Sequence, residues 1–348
     1  MSHRRFNPLK DEWIIVSSNR CNRPWKGETE KSEDKGGFQK SEHFNPLAPG
    51  GVRANGEVTP TYTSTYVFTN DFPVFTEEPN PEVPQTDDLF QSQYDVRGTC
   101  RVLCFNPDSS LSLATMTKSQ ISSVIDQWID QMNELKEKYE WVQIFENKGA
   151  AVGCSNAHPH GQLWCMNFLP NEAATKKRNQ QKYFQRKGSP MLVDYLNQER
   201  QKKERIVVEN EHWTVLVPYW AYWPFETMLL PNRHILRLED ITVEERSSLA
   251  EIMKILLVKY DNLFKCSFPY MFGWHGAPTG SHLKESCDYW QLHASYFPPL
   301  LRSASIKKFM AGFEMHAEPQ RDMSPEKAAE LLREQSQVHF STRKNSNN

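Results

Sequence analysis

The chain has 348 residues, 38% of them hydrophobic and 12% aromatic, enough for a well-buried core in one large domain or two ordinary ones. A formal charge of −2 supplies no global basic field and argues against a nucleic-acid scaffold. The opening MSHRRFNPLKDEW lacks the apolar core of a signal peptide, no run approaches a bilayer-spanning length, and the seven cysteines follow no regular spacing; the expectation is a cytoplasmic protein with reduced thiols and no membrane contact.

The stretch from Gly27 to about Pro60 is rich in Gly, Pro, Lys, Glu and Asn and reads as long loops. STYVFTNDFPVF (64–75) is an aromatic, β-branched strand ending in Asn70-Asp71. In GTCRVLCF a second strand follows, whose alternation makes Cys100 and Cys104 buried core residues rather than a metal clip. Thr117 and Gln120 form a T-x-x-Q capping box. Behind it Ile121, Val124, Ile125, Trp128, Met132, Leu135 and Tyr139 repeat at helical spacing. WVQIFENKG (141–149) is again a strand and leads into GCSNAHPHGQ (153–162). NEAATKKRNQQKYFQRKGSP (171–190) is polar and basic and reads as a solvated connecting helix.

The order then repeats. EHWTVLVPYWAYWPFETMLLP (211–231) reads as a pair of aromatic strands, and Thr242 with Glu245 forms a second capping box. Leu249, Ile252, Met253, Leu256, Leu257 and Tyr260 make the second apolar stripe, and both helices are expected to end in Lys-Tyr. FPYMFGWHGAP (268–278) and YWQLHASYFPP (289–299) again carry histidines on strands. Ser324-Pro325 caps a last helix. The expectation is an internally duplicated α+β fold with antiparallel sheets: a first half over 1–170, a connector over 171–190, a second half over 191–340 and a disordered tail over 341–348.

The His-Pro-His segment allows three chemistries. Two imidazoles at i and i+2 of an extended chain share a face, so they can pack in a core, ligate a metal, or supply a nucleophile. A phosphoryl group in transfer spreads charge over its oxygens, so its site needs fixed donors more than a strong base. Gly153 to Asn156 offer backbone N–H groups and a hydroxyl, and Gln162 follows His160 on the same strand face with an amide donor. Arg20 and Arg23 are candidate anion binders, and Asn70-Asp71 can read a ribose or base. Together these describe a nucleotide site.

HRRFNPLKDEWIIVS, NRPWKG, YVFTNDFPVF, WVQIFENKGA, GCSNAHPHGQLW, PYWAYWPFETMLLP, KYDNLF, GWHGAPTG and PPLLRSASIKKFMAGFEM form an ordered series that resembles the galactose-1-phosphate uridylyltransferases of the histidine-triad superfamily over nearly the whole chain. The resemblance implies two histidine-triad-like halves forming an antiparallel-sheet half-barrel with packed helices, and a homodimer with shared active sites. It implies ping-pong conversion of UDP-glucose and galactose 1-phosphate into glucose 1-phosphate and UDP-galactose through a uridylyl-His160. Gln162 and Ser155 then hold the phosphoryl group, and Asn70, Asp71, Phe72 and Val102 match uridine-site positions. Arg20, Arg23, Asn147, Gly153, Lys308, Phe309, Glu314 and Gln320 match phosphate or hexose positions, several of them offered across the dimer interface.

The metals depart from the pattern. Bacterial members carry a zinc tetrad at positions matching Asn45, Ala48, Ser109 and His158 here, and a second metal at positions matching Lys176, His275, His293 and Ser295. Neither set reads as a cation site, so no metal or other cofactor is expected. Ala157 also replaces a proline, and Phe313 a tyrosine on the hexose side. Two other readings stand beside this one: a nucleotide hydrolase or phosphorylase of the same superfamily, and a catalytically idle UDP-sugar-binding protein.

Overall fold

The computed structural model describes residues 2–8, 11–17, 45–78, 80–82, 84 and 86–345. Its elements begin with β1 (Ser2–Asn7), β2 (Glu12–Ser17), β3 (Tyr66–Thr69), β4 (Ser92–Gln93), β5 (Gly98–Cys104), α1 (Lys118–Leu135), β6 (Trp141–Lys148) and β7 (His160–Met166). They continue through α2 (Asn171–Lys187), α3 (Met191–Lys202), β8 (Ile206–Glu209), β9 (Trp213–Leu216) and β10 (Thr227–Pro231). Then follow α4 (Val243–Phe264), β11 (Tyr270–His275), β12 (His293–Phe297), α5 (Gly312–His316) and α6 (Pro325–Arg333).

Both capping boxes form. Thr117 Oγ1 accepts from the Gln120 amide at 3.2 Å while Gln120 Oε1 accepts from the Thr117 N–H at 2.8 Å. Thr242 and Glu245 repeat the exchange at 3.2 and 2.7 Å, so each helix satisfies two of the donors its first turn leaves open. α1 and α4 pack against each other, tied by Arg246 to Asp126 at 2.7 Å.

The nine strands β3-β5-β7-β6-β11-β12-β10-β9-β8 form one open sheet, antiparallel at every junction. A second sheet, β2-β1-β4, is small. The large sheet carries the duplication. β3, β5, α1, β6, β7 and β9, β10, α4, β11, β12 follow in the same order, and the strand order is palindromic about the β6–β11 seam. Phe145 faces Gly273 across that seam, Gln162 within the first half, while Gly273 faces Ser295 within the second. Gln162 is therefore the counterpart of Ser295, and His160 of His293. One core runs under both halves, from Leu103 through Trp128 and Leu256 to Leu332, so they fold around shared apolar contacts.

Alternation in the strands separates the two faces. Leu163 and Cys165 of β7, Val142 and Ile144 of β6, and Phe272 and Trp274 of β11 enter the core under α1 and α4. His160, Gln162 and Trp164 point to the other face, where they are only partly buried.

Three local expectations change. The aromatic run before β10 is a loop, with Tyr219 and Trp220 66% and 50% exposed, because Pro218 and Pro224 cannot donate to a ladder. α1 stops at Leu135, three residues before Lys138-Tyr139, whereas α4 runs on through Lys259-Tyr260 to Phe264 and ends at Lys265 in the left-handed region. α2 is not wholly solvated: Ala173 and Gln180 are buried, and Lys177 reaches Glu285 at 3.3 Å and His282 at 3.1 Å on the second half. A 3-10 turn covers Phe340–Asn345. Among the described residues no helix is long and apolar enough to cross a membrane.

Candidate active site

Three stretches of chain meet on the open face of the first half. β6 brings Phe145 and Asn147, the turn before β7 brings Gly153, Cys154 and Ser155, and β7 brings His160, Gly161, Gln162 and Trp164. They line a small open cleft of about 130 Å³. Gly153 has φ +80°, a turn conformation that glycine adopts without penalty. Gly161 is demanded by packing, since a Cβ there would stand 2.8 Å from the Phe105 ring and 3.1 Å from the Phe145 carbonyl.

His160 is oriented by the backbone. Its Nδ1 lies 2.7 Å from the His158 carbonyl, which can only accept, so the ring proton sits on Nδ1 and the lone pair on Nε2. Gln162 is oriented as well. Its Oε1 accepts from the Trp164 indole N–H at 3.0 Å and from Asn70 Nδ2 at 3.5 Å, so its amide N–H₂ is the end offered to a ligand. The site thus sets an imidazole and a hydrogen-bond donor two residues apart on one strand.

Asn70 and Val102 border this cleft at Gln162, Val102 standing opposite it in register. The Asn70 side chain also accepts from the Phe72 N–H at 2.9 Å, and Asp71 stands 3.4 Å from the buried guanidinium of Arg53, which stacks on Phe68. Lys308, Phe309, Glu314 and Gln320 lie elsewhere in this chain. Lys308 pairs with Glu314 at 3.2 Å, Arg321 joins them at 3.1 Å, Phe309 packs edge-on against Trp223, and Gln320 bonds Asp322 at 3.3 Å. Arg20 and Arg23 lie outside the described residues.

His158, two residues upstream, is 1% exposed. Its Nε2 is 2.7 Å from the Tyr62 hydroxyl and its Nδ1 2.8 Å from Ser109 Oγ. Burial, with the neighbouring His160 adding to it, lowers the ring to about 4, so it stays neutral. The positions that the resemblance ties to zinc do not make a donor set: Asn45 exchanges amide hydrogen bonds with Asn156 at 2.9 Å, Ala48 brings a methyl, and both His158 nitrogens are engaged with hydroxyls. The second set opposes a cation outright. Lys176 Nζ stands 3.4 Å from His293 Nε2, and the His275 and His293 rings stack at 5.1 Å. Burial lowers Lys176 to about 8, and burial followed by Lys176 lowers His293 to about 3.

Trp164, Tyr62 and Arg53 were not singled out from the sequence. Trp164 was legible, since it continues the same-face alternation His160, Gln162, Trp164. Tyr62 carries no local signal, because its partner His158 lies far along the chain, and Arg53 pairs with Glu57 four residues on as well as with the more distant Asp71.

Comparison with known proteins agrees across the chain. Residues 1–170 match the family model described as galactose-1-phosphate uridyl transferase, N-terminal domain, and residues 176–344 match the C-terminal domain model. The chain is 52% identical over 338 residues to galactose-1-phosphate uridylyltransferase of Rattus norvegicus, covering 97% of this chain and 89% of the relative. It is 54% identical over 333 residues to a probable galactose-1-phosphate uridylyltransferase of Drosophila melanogaster, covering 95% of each. A solved uridylyltransferase structure superposes with a TM-score of 0.79 at 26% identity, covering 96% of this chain and 98% of that one.

Proposed function

The chain belongs to the galactose-1-phosphate uridylyltransferase family and is a nucleotidyltransferase, and from that premise we propose that it moves the uridylyl group of UDP-glucose to galactose 1-phosphate through a covalent uridylyl-His160. The observation that carries the covalent step is the His160 Nδ1–H bond to the His158 carbonyl at 2.7 Å, beside a Gln162 amide aimed into the same cleft.

Both sugar phosphates are anions, so bringing one to attack a phosphorus still bearing the other is electrostatically costly. A neutral imidazole avoids that encounter. His160 Nε2 attacks the α-phosphorus, the bond to the bridging oxygen breaks, and glucose 1-phosphate leaves with the electron pair. A phosphate oxygen of galactose 1-phosphate then attacks the same phosphorus, and the P–N pair returns to the ring. Nδ1 keeps its proton throughout, and its bond to the carbonyl strengthens while the ring is cationic. The neutral His158 puts no like charge beside that intermediate. Gln162 and Ser155 donate to the phosphoryl oxygens. Asn70, Asp71, Phe72 and Val102 serve the uridine end, and Asn147 and Gly153 the phosphates. Neither step draws on a metal.

Lys308, Phe309, Glu314 and Gln320 complete the hexose end from the second subunit of a homodimer. None of the four is among the residues lining the His160 cleft of the same chain, which supports this, as does the exposed apolar surface of Phe309, Phe313 and Met315. Arg20 and Arg23 act on the phosphates.

The test uses UDP-glucose radiolabelled in the uridylyl phosphate. The protein should take up label that is acid-labile and base-stable, as a phosphoramidate is, and galactose 1-phosphate should discharge it faster than water. Rapid loss to water would instead make the protein a hydrolase. Tight UDP-glucose binding with no protein-bound label would remove the covalent step.

A further inference from the structure

We infer that Tyr62 and Ser109 are positioning residues for the nucleophile: their hydroxyls clamp the His158 ring, and the clamp holds the backbone carbonyl that orients His160. The inference rests on the reading of His160 as the uridylyl acceptor and adds what keeps its ring in line without a cation.

The Tyr62 hydroxyl lies 2.8 Å from the Leu47 carbonyl, which takes its proton. The same oxygen then accepts from His158 Nε2–H at 2.7 Å, and Ser109 Oγ–H donates to Nδ1 at 2.8 Å. Every group in this chain of bonds is neutral and satisfied, as a buried polar network must be. The backbone around the ring is held too. The Asn156 side chain accepts from the His158 N–H at 2.9 Å, and the Phe105 N–H donates to the Pro159 carbonyl at 2.8 Å. The carbonyl between them, that of His158, is the one that receives His160 Nδ1–H.

The second half repeats the device with different chemistry. Gln291 is the counterpart of His158, two residues before His293, and is 1% exposed. Its amide accepts from the Ile235 N–H at 3.0 Å and donates to the Arg233 and Pro231 carbonyls at 2.9 and 3.2 Å. Its own carbonyl faces His293 Nδ1 at 2.9 Å. An imidazole held by hydroxyls and an amide held by backbone thus reach the same carbonyl-to-histidine geometry. The shared feature is the immobilised side chain two residues upstream, and in both halves hydrogen bonds hold it.

The experiment measures single-turnover uptake of uridylyl label. Misaiming a nucleophile costs rate more than binding, so Ser109→Ala and Tyr62→Phe should each slow uptake about tenfold, with UDP-glucose Kd changed less than about twofold. Ser109→Thr, which keeps the hydroxyl, should recover most of the rate. His158→Gln should label faster than His158→Ala, because an amide can still engage the two hydroxyls. Wild type dialysed against a strong zinc chelator should keep its rate. Folded Ser109→Ala and Tyr62→Phe labelling at the wild-type rate would overturn the clamp, as would equal rates for the two His158 variants. A rate lost to chelation and restored by zinc would overturn it too. Wild type that takes up no label sinks the reading of His160 instead.

Discussion

Glu146 lies on β6 next to Asn147, fully enclosed under the sheet, where the Tyr270 hydroxyl donates to Oε2 at 3.0 Å. Burial dominates over the nearby Lys148 and that hydrogen bond, and pushes the carboxyl up to about 7. A raised carboxyl favours the protonated native state. Its contribution is therefore whole below the unfolded value near 4.5 and is lost as pH rises to about 7. At pH 8 the mismatch costs on the order of 3 kcal/mol, and at pH 5 less than about 1 kcal/mol. Glu146→Gln keeps an acceptor for Tyr270 and removes the ionisation. Differential scanning calorimetry should find the variant more stable by roughly 4 °C at pH 8 for a chain of this size, with little difference at pH 5. An equal shift at both pH values would refute the reasoning, because packing changes do not titrate.

Gln162→Ala should lower kcat by about 10²–10³-fold, the usual cost of one transition-state donor, with a smaller change in UDP-glucose Kd; steady-state kinetics and binding calorimetry separate the two. Gly161→Ala places a methyl against Phe105 and the Phe145 carbonyl and should destabilise by about 1–3 kcal/mol, read by urea unfolding. Burial pushes the Cys104 thiol up to about 12, so in the native protein iodoacetamide should leave it intact. Cys154 lines the cleft and should be alkylated before Cys104, more slowly when UDP-glucose is bound, as peptide mapping by mass spectrometry would show.

The sequence by itself determined the features that depend on neighbours along the chain. Threonine three residues before Gln120 or Glu245 specifies a helix start whatever surrounds it, and alternation puts His160, Gln162 and Trp164 on one face of a strand. The repeated order of strands and helices was legible for the same reason. Only the tertiary structure decided that the repeats join at β6 and β11 into one sheet over one core, because strand pairing is set by contacts distant in sequence. It also decided what His158 does. Its ring is held by Tyr62 and Ser109, 96 and 49 residues away, whose hydroxyls no periodicity links to it. For Lys176 the sequence supplied only its match to a metal-ligand position, and folding set it 3.4 Å from His293, where burial rather than composition governs its chemistry.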